Sequence, residues 1–289
     1  MKIRGWLFSL IFTLLIAGFD AVLIDYLANN PNYYQLDAYT WETDAFRRMD
    51  FGEEGIAEAK AYGARYGEDW LEVLTFAMVT HDYRLAPGDI RDMNHLVYQL
   101  RLEDIRKRKG PEFRKLVNAY TTVLADLVYF PIPRPTKEGT PWVTFINSWG
   151  ATRTYGGERG HEGTDIMGDQ MPRGHYPVVS VSDGTVEKIG WLEKGGYRIG
   201  IRTESGAYLY YAHLYDYAGD YAPGDPVRAG DLLGFMGDTG YSTIVGTTGN
   251  FEVHLHFGIY LRTDHYEEMS VNPYWILKYL ENYTLKFAY

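Results

Sequence analysis

The sequence predicts an N-terminal membrane anchor, then an all-α helical module, then a mostly β domain with an antiparallel sheet. An apolar run at residues 6–19 predicts the anchor. Apolar residues then recur at helical spacing from about residue 36 to residue 130, and β-like alternation with frequent glycine follows. We set the boundaries of the three parts at residues 1–25, 26–130 and 131–289.

The apolar run near the N-terminus is short for a membrane span and also fits the core of a signal peptide. Lys2 and Arg4 precede the run, and Asp25 closes it. The candidate cleavage site after Ala21 is poor, because Phe19 occupies its −3 position. We therefore expect an uncleaved single-pass anchor with the N-terminus inside and the rest of the chain outside the cell. Secretion after signal-peptide cleavage is the alternative.

The composition is that of a globular protein with a sizeable core, with 289 residues of which 46% are hydrophobic and 23% charged. The net charge of −10 argues against nucleic acid as a partner, because the phosphate backbone is also negative. The chain has no cysteine, which excludes disulfides and cysteine-rich zinc sites. The absence of cysteine leaves the compartment open.

Three amphipathic helices are predicted within residues 36–130. Gly110-Pro111 ends the second and opens the third, because proline is tolerated in the first turn of a helix. We interpret His81 and His95 as ordinary surface or core residues. The predicted apolar faces are Leu71, Leu74 and Met78, then Met93, Leu96, Val97 and Leu100, then Phe113, Leu116, Val117, Tyr120, Leu124 and Leu127.

The remainder of the chain has the pattern of a β domain. Residues 130–135 carry three alternating prolines, which favour an extended linker. Short strands are predicted at residues 178–181, 185–189, 197–202 and 207–211, separated by turns such as Asp183-Gly184. Strands at this spacing indicate an antiparallel sheet. A short helix is expected after Pro273.

The most informative strand is predicted at residues 250–260. Apolar residues occupy its odd positions, and Glu252, His254 and His256 fall between them. Strict alternation predicts a half-buried strand, so both histidines project from the face opposite the apolar one. On its own, such a pair fits two solvated histidines as well as a metal site.

A second motif lies in residues 160–165, where His161 and Asp165 stand four positions apart between glycines. These two side chains and one histidine of the 254/256 pair would give three protein ligands for one metal ion. Zinc with three nitrogen or oxygen ligands keeps a fourth position open for water, as catalytic sites do. Between the two motifs, His213 lies in an aromatic, strand-like run at residues 210–214.

The order His-x-x-x-Asp, Tyr-x-His-Leu and His-x-His resembles the lysostaphin/LytM-type zinc endopeptidases, which cut peptides in bacterial cell walls. The intervening segments VSDGTV at 181–186, GDLLG at 230–234 and GDTG at 237–240 are also similar. The resemblance covers roughly residues 143–262. The chain departs from the family pattern by a Gly/Thr-rich insertion at residues 241–249, which affects the expected shape of the substrate groove.

The resemblance implies that His161, Asp165 and His256 hold a zinc ion and that His213 and His254 are the catalytic histidines beside it. It further implies a zinc metalloendopeptidase that hydrolyses stem-peptide or cross-bridge bonds of peptidoglycan outside the cell. The helical module would then be a spacer, a protein-partner-binding unit or a wall-binding unit.

Two other classes of function stay open. A non-catalytic LytM-like scaffold or activator of other wall enzymes would be expected to have lost a ligand, and all three are present. A carbohydrate-binding β domain fits the 26 tyrosines but leaves the ordered His/Asp set unexplained.

Overall fold

The structure is a computed structural model that describes residues 2–29, 35–169 and 171–289. Single 3-10 turns lie at Thr40–Glu42 and Glu281–Tyr283. The α-helices are α1 (Lys2–Asn29), α2 (Asp44–Arg47), α3 (Gly55–Tyr66), α4 (Trp70–Thr80), α5 (His95–Leu124) and α6 (Tyr274–Leu280).

The strands all follow α5 in the chain. They are β1 (Arg134–Pro135), β2 (Thr144–Phe145), β3 (Thr152–Arg153), β4 (Arg159–Gly160), β5 (Thr164–Met167), β6 (Pro177–Val179), β7 (Gly184–Leu192), β8 (Gly196–Arg202), β9 (Tyr208–Tyr217), β10 (Pro226–Val227), β11 (Leu232–Met236), β12 (His254–Leu261), β13 (Met269–Val271) and β14 (Lys286–Phe287).

Helix α1 is long and apolar enough to cross a membrane. Its apolar stretch, Phe8–Tyr26, has 19 residues, and none of them is buried in the rest of the protein. At the rise of an α-helix this stretch is about 28 Å long, close to the thickness of a bilayer's hydrocarbon core. An exposed apolar helix near the N-terminus is consistent with the predicted membrane anchor and with a signal peptide.

A ten-stranded sheet forms the centre of the β region. Its main path runs β10-β7-β8-β9-β12-β5-β2, with β13 paired to β12 and β11 paired to β6 and β9. Every pairing in this sheet is antiparallel. The predicted mostly β, antiparallel domain is therefore confirmed.

Strand β12 lies inside this sheet, between β9 and β5. It begins at His254 rather than near residue 250, so Phe251 belongs to the preceding loop and not to the apolar face of the strand. Leu255, Phe257 and Ile259 are fully buried, as the alternation predicts. His254 and Tyr260 on the opposite face are also largely covered, so the expected half-exposed strand is buried on both sides.

Helices α2 and α5, which precede the sheet in the chain, pack onto it. The ring of Phe46 on α2 lies 4.8 Å from that of Tyr120 on α5. Arg47 Nε donates to the carbonyl of Ser270 on β13 at 3.0 Å. The predicted extended linker bends at residues 131 and 132, and the side chains of Phe130 and Ile132 are fully buried in the core that the helices and the sheet share. The domain boundary near residue 130 stays a prediction.

Helix α5 joins two of the predicted helices through a kink. Lys109 has non-helical backbone angles there, since Pro111 lacks the amide that would continue the helical hydrogen bonds. The second half buries Phe113 and Leu116 as predicted. In the first half the predicted apolar stripe is wrong, because Leu96 and Leu100 are 64% and 60% exposed.

The first half of α5 instead buries the face that meets α4. The ring of Tyr98 lies 5.0 Å from that of Phe76, and Leu102 and Ile105 are buried alongside. Asn94 caps the start of the helix by accepting a hydrogen bond from the amide of Val97 at 3.1 Å.

Two leucine substitutions on α5 test this orientation. Leu116→Ala should lower the free energy of unfolding by about 2–5 kcal/mol, because a buried leucine leaves a cavity. Leu100→Ala, at an exposed position of the same helix, should change it by no more than about 0.5 kcal/mol. Urea unfolding followed by circular dichroism compares the two, and equal losses would contradict the burial described for α5.

Candidate metal centre

Three neighbouring strands bring the predicted site residues together. Asp165 on β5 is the cross-strand partner of His256 on β12, and Ala212 on β9 is the partner of His256 on the other side. His161 lies just before β5. All five predicted site residues, His161, Asp165, His213, His254 and His256, line one groove.

Three of these side chains converge on one point. His161 Nε2 lies 2.9 Å from His256 Nδ1 and 3.0 Å from Asp165 Oδ1. The third side of the triangle, His256 Nδ1 to Asp165 Oδ1, is 3.1 Å. A tetrahedral ion with bonds of about 2.0–2.1 Å separates its ligand atoms by about 3.3 Å, so this donor set fits one small metal ion.

The tautomer of His161 is fixed by a backbone carbonyl. Its Nδ1 lies 3.0 Å from the carbonyl oxygen of Ser148, which can only accept, so Nδ1 carries the proton. Nε2 of the neutral ring therefore presents a lone pair to the centre. Such an outer partner orients a metal-binding histidine and makes it a better ligand.

Asp165 uses its two oxygens for different purposes. Oδ1 faces the two imidazoles, while Oδ2 accepts from the guanidinium of Arg153. Burial alone would raise the pKa of Asp165, yet its contacts with the imidazoles of His161 and His256 hold that pKa well below its usual range. Asp165 is therefore an anion at neutral pH, the form in which a carboxylate binds a metal ion.

Gly163 makes room for the ring of His256. A Cβ at this position would lie 2.8 Å from His256 Nε2 and 2.5 Å from the carbonyl oxygen of Phe257. A side chain here would displace the imidazole or the strand that carries it. Gly160, three positions earlier, has no such constraint, because its Cβ would meet nothing closer than 3.9 Å.

His213 and His254 lie beside the three converging side chains, with their ring centroids 4.7 Å apart. Each is held through Nδ1 by a backbone carbonyl, of Thr239 at 2.7 Å for His213 and of Glu252 at 2.7 Å for His254. In both neutral rings Nε2 is consequently the basic atom. His254 Nε2 is 3.7 Å from Asp165 Oδ1, whereas His256 Nδ1 is 3.1 Å from the same oxygen.

Burial keeps these imidazoles uncharged at neutral pH. It lowers the pKa of His213 well below its ordinary value and also lowers the pKa of His254. Burial lowers the pKa of His256 to about 4. Neutral imidazole is the form that binds a metal or accepts a proton.

The backbone of His213 is strained. Its φ is +61°, in the left-handed region that residues with a Cβ rarely adopt. The register between β8 and β9 shifts at this point, so residues 212 and 213 form a bulge. The bulge turns His213 into the groove, and no feature of the sequence indicates it.

Aromatic side chains form one wall of the groove, which has a volume of about 800 Å³. Tyr241, from the insertion at 241–249, stacks on Tyr155 with ring centroids 4.4 Å apart. Phe251 lies 4.6 Å from the ring of His213. The sequence alone did not assign Tyr241, Phe251, Ser148 or Arg153 to the site.

The other four histidines lie elsewhere. His95 pairs with Glu68 at 2.9 Å, and His265 pairs with Glu42 at 2.7 Å. His81 and His175 do not line the groove. Within the described ranges, His161, Asp165 and His256 are the one group of three or more side chains suited to hold a metal ion.

Comparison with known proteins gives a consistent set of relatives. The profile of peptidase family M23 matches residues 159–273. The L-Ala–D-Glu endopeptidase of Bacillus subtilis is 39% identical over 174 residues, which are 60% of this chain and 49% of that protein. Lysostaphin of Staphylococcus simulans is 37% identical over 83 residues, 28% of this chain and 15% of that protein. The chain thus spans about half the length of the Bacillus relative.

A solved structure from Ruminococcus gnavus covers more of the chain. It is described as a candidate glycyl-glycine endopeptidase lytM and is 40% identical. The match includes 89% of this chain and 98% of the other, with a TM-score of 0.73. The similarity therefore extends through the helical region as well as the sheet.

Gly163→Ala tests the convergence of the three side chains. We expect the affinity for Zn²⁺ to fall by roughly 10- to 100-fold, since a misplaced ligand weakens metal binding by about that factor. Gly160→Ala is the matched control and should bind Zn²⁺ as the unaltered protein does. Zinc titration measures both, with circular dichroism to confirm folding, and equal affinities would contradict the geometry.

Proposed function

The chain belongs to peptidase family M23, with the lysostaphin- and LytM-type enzymes, and on that premise we propose that it is a zinc-dependent endopeptidase of bacterial peptidoglycan. The observation that carries the proposal is the convergence of His161, Asp165 and His256 within 3.1 Å of one another, beside two further histidines. A scaffold protein has no need of such a donor set.

Zinc is the metal that this donor set favours. Two imidazole nitrogens and one carboxylate oxygen match a three-ligand catalytic zinc site with a fourth, open position. When bound, zinc polarises the scissile carbonyl and lowers the pKa of water toward neutrality. The three ligands lie on the groove, where a peptide can reach them.

His254 and His213 supply the proton chemistry. Nε2 of each neutral ring is available as a base, because the Nδ1 atoms are occupied by the carbonyls of Glu252 and Thr239. His254 accepts a proton from the attacking water and returns it to the leaving amine. His213, whose Nε2 is free in the same way, is the second acid–base group beside it and can take up and pass on a proton during the reaction.

The relatives support a cell-wall peptide as substrate. One is named for an L-Ala–D-Glu bond and another for a glycyl-glycine bond, which correspond to a stem peptide and a cross-bridge. We propose that this protein hydrolyses one of these two kinds of bond. The region of α2–α5 is the candidate surface for a protein partner.

Digestion of purified cell walls tests the activity. Zinc-loaded protein should release peptides whose new ends, read by mass spectrometry, identify the bond that is cut. Zinc binding without any peptide release from walls or isolated muropeptides would argue for a scaffold or activator instead.

We further propose that the protein acts at the outer face of the bacterial cell membrane, held by α1 with its N-terminus inside. The exposed apolar stretch Phe8–Tyr26 supports this placement, and secretion after cleavage is the alternative. Wall peptides would then be hydrolysed close to the membrane.

Substitutions of four of the five site residues separate metal binding from chemistry. Asp165→Ala and His256→Ala should lose both zinc and activity, since three ligands leave little redundancy. His213→Ala and His254→Ala should keep about one zinc per chain and lose about 10²- to 10⁴-fold in rate, the usual contribution of an acid–base group. Metal analysis and peptide hydrolysis measure the two properties.

The assignment of His256 as the zinc ligand and His254 as the acid–base group can be contradicted separately. If His254→Ala abolished zinc binding while His256→Ala spared it, the two roles would be reversed. If both variants kept full activity, the endopeptidase proposal would fail.

The anchor is tested by the mass of the mature protein. Protein isolated from membranes should have the intact mass of a chain that retains residues 6–24, because the poor site after Ala21 should resist cleavage. A mature chain that begins near residues 20–30 would show that the segment is a cleaved signal peptide.

A further inference from the structure

Arg198 is a cation on the groove wall without an acceptor. Its Nε and Nη1 are closed off from solvent and have no hydrogen-bond partner among the described residues. Two other groove cations are paired, Arg153 with Asp165 and Lys188 with Glu268. Protein atoms cover these two nitrogens, and Nη2, which is not among the closed-off atoms, is the one left to meet an acceptor that arrives with a ligand in the groove.

Arg198 lies close to the candidate metal centre in the sheet. It lies on β8 opposite the bulge formed by Ala212 and His213, and Ala212 pairs in turn with His256 on β12. Arg198 and His256 are thus two strands apart and both line the groove. Two strand spacings amount to about 10 Å between their backbones.

Two tyrosines bracket Arg198 along β8. The hydroxyl of Tyr208 lies over Gly200, where a Cβ on the glycine would be only 1.9 Å from it. The hydroxyl of Tyr210 lies over Gly195, where a Cβ would be 2.2 Å from it. Burial raises the pKa of Tyr208 to about 12, and the charge of Arg198 opposes that rise. Burial raises the pKa of Tyr210 as well, so both phenols stay neutral and neither can serve as the anion that Arg198 lacks.

The groove is locally cationic in an acidic protein. Five Lys or Arg residues line it against three Asp or Glu residues, whereas the whole chain has a net charge of −10. A concave surface lined by excess positive charge concentrates anionic ligands. An uncharged glycine bridge gains nothing from this charge.

We propose that Arg198 binds a free carboxylate of the substrate peptide, located within about two residues of the scissile bond. Resting on the proposed peptidase function, the inference narrows its substrate to acidic peptides of the stem-peptide kind and disfavours glycine cross-bridges. The distance follows from the geometry, because an extended peptide advances about 3.3–3.6 Å per residue and the arginine side chain covers the remaining gap. Through Nη2, the guanidinium can donate a charge-assisted hydrogen bond to one oxygen of the carboxylate.

Two peptides that differ by one charge test the proposal. Both have the sequence L-Ala-γ-D-Glu-L-Lys with blocked ends, and the α-carboxylate of D-Glu is free in one and a carboxamide in the other. Hydrolysis of each by the zinc-loaded full chain is followed by chromatography. Pentaglycine and purified walls are digested in parallel.

The unaltered protein should prefer the free carboxylate by roughly 10- to 100-fold in kcat/KM, the effect expected of a hydrogen bond to a charged group. Arg198→Gln should lose this preference, mainly through a higher KM for the acidic peptide, and keep its zinc. Arg198→Lys should keep part of it, since lysine retains the positive charge but carries it on a compact ammonium of different reach. Arg202→Gln is the matched control, because Arg202 lies on the same strand but is already paired with Glu187.

The outcomes distinguish failure of the proposed peptidase function from failure of the carboxylate site at Arg198. Absence of cleavage of every peptide and of purified walls would overturn the proposed function. Cleavage of walls or pentaglycine without a preference for the free carboxylate would overturn the carboxylate site alone. The carboxylate site would also be overturned if Arg198→Gln kept the preference for the free carboxylate, or if Arg202→Gln lost that preference.

Discussion

The burial of four imidazoles and one carboxylate in a single cluster is the constraint on which the site depends. Burial removes the hydration of these polar groups, so each ring needs a fixed partner. Backbone carbonyls meet this need for His161, His213 and His254, and in each case they fix which nitrogen carries the proton. The site is thereby ordered before any ligand arrives, which lowers the cost of binding and of reaction.

The sheet supplies the rigidity that this order requires. Asp165 and His256 stand on β5 and β12, which are interior strands of the sheet, so their spacing is set by the backbone ladder, and His161 lies just before β5. The helices contribute from the periphery, because none of the residues that line the groove belongs to α2–α6. α5 packs instead on the sheet through its buried second half. The helical region therefore stabilises the sheet and leaves the groove open for a long substrate.

Sequence reasoning predicted the elements whose signal is local. The two-residue period placed His254 and His256 on one face, and turn residues located the strands. It could not assign the carbonyl of Ser148, the contact of Arg153 with Asp165 or the bulge at His213, because these depend on residues distant in the chain. The predicted burial of Leu96 and Leu100 was wrong for the same reason. Helical spacing predicts that residues share a face, and only tertiary contacts decide which face is covered.

The left-handed backbone of His213 has a consequence for how the protein can change over time. Selection for stability alone would replace a strained histidine with glycine or asparagine, which adopt positive φ at little or no cost. Histidine persists there only while its imidazole is needed. In a related protein that no longer hydrolyses peptides and serves a purely architectural role, we would therefore expect position 213 to be among the first at which the histidine is replaced.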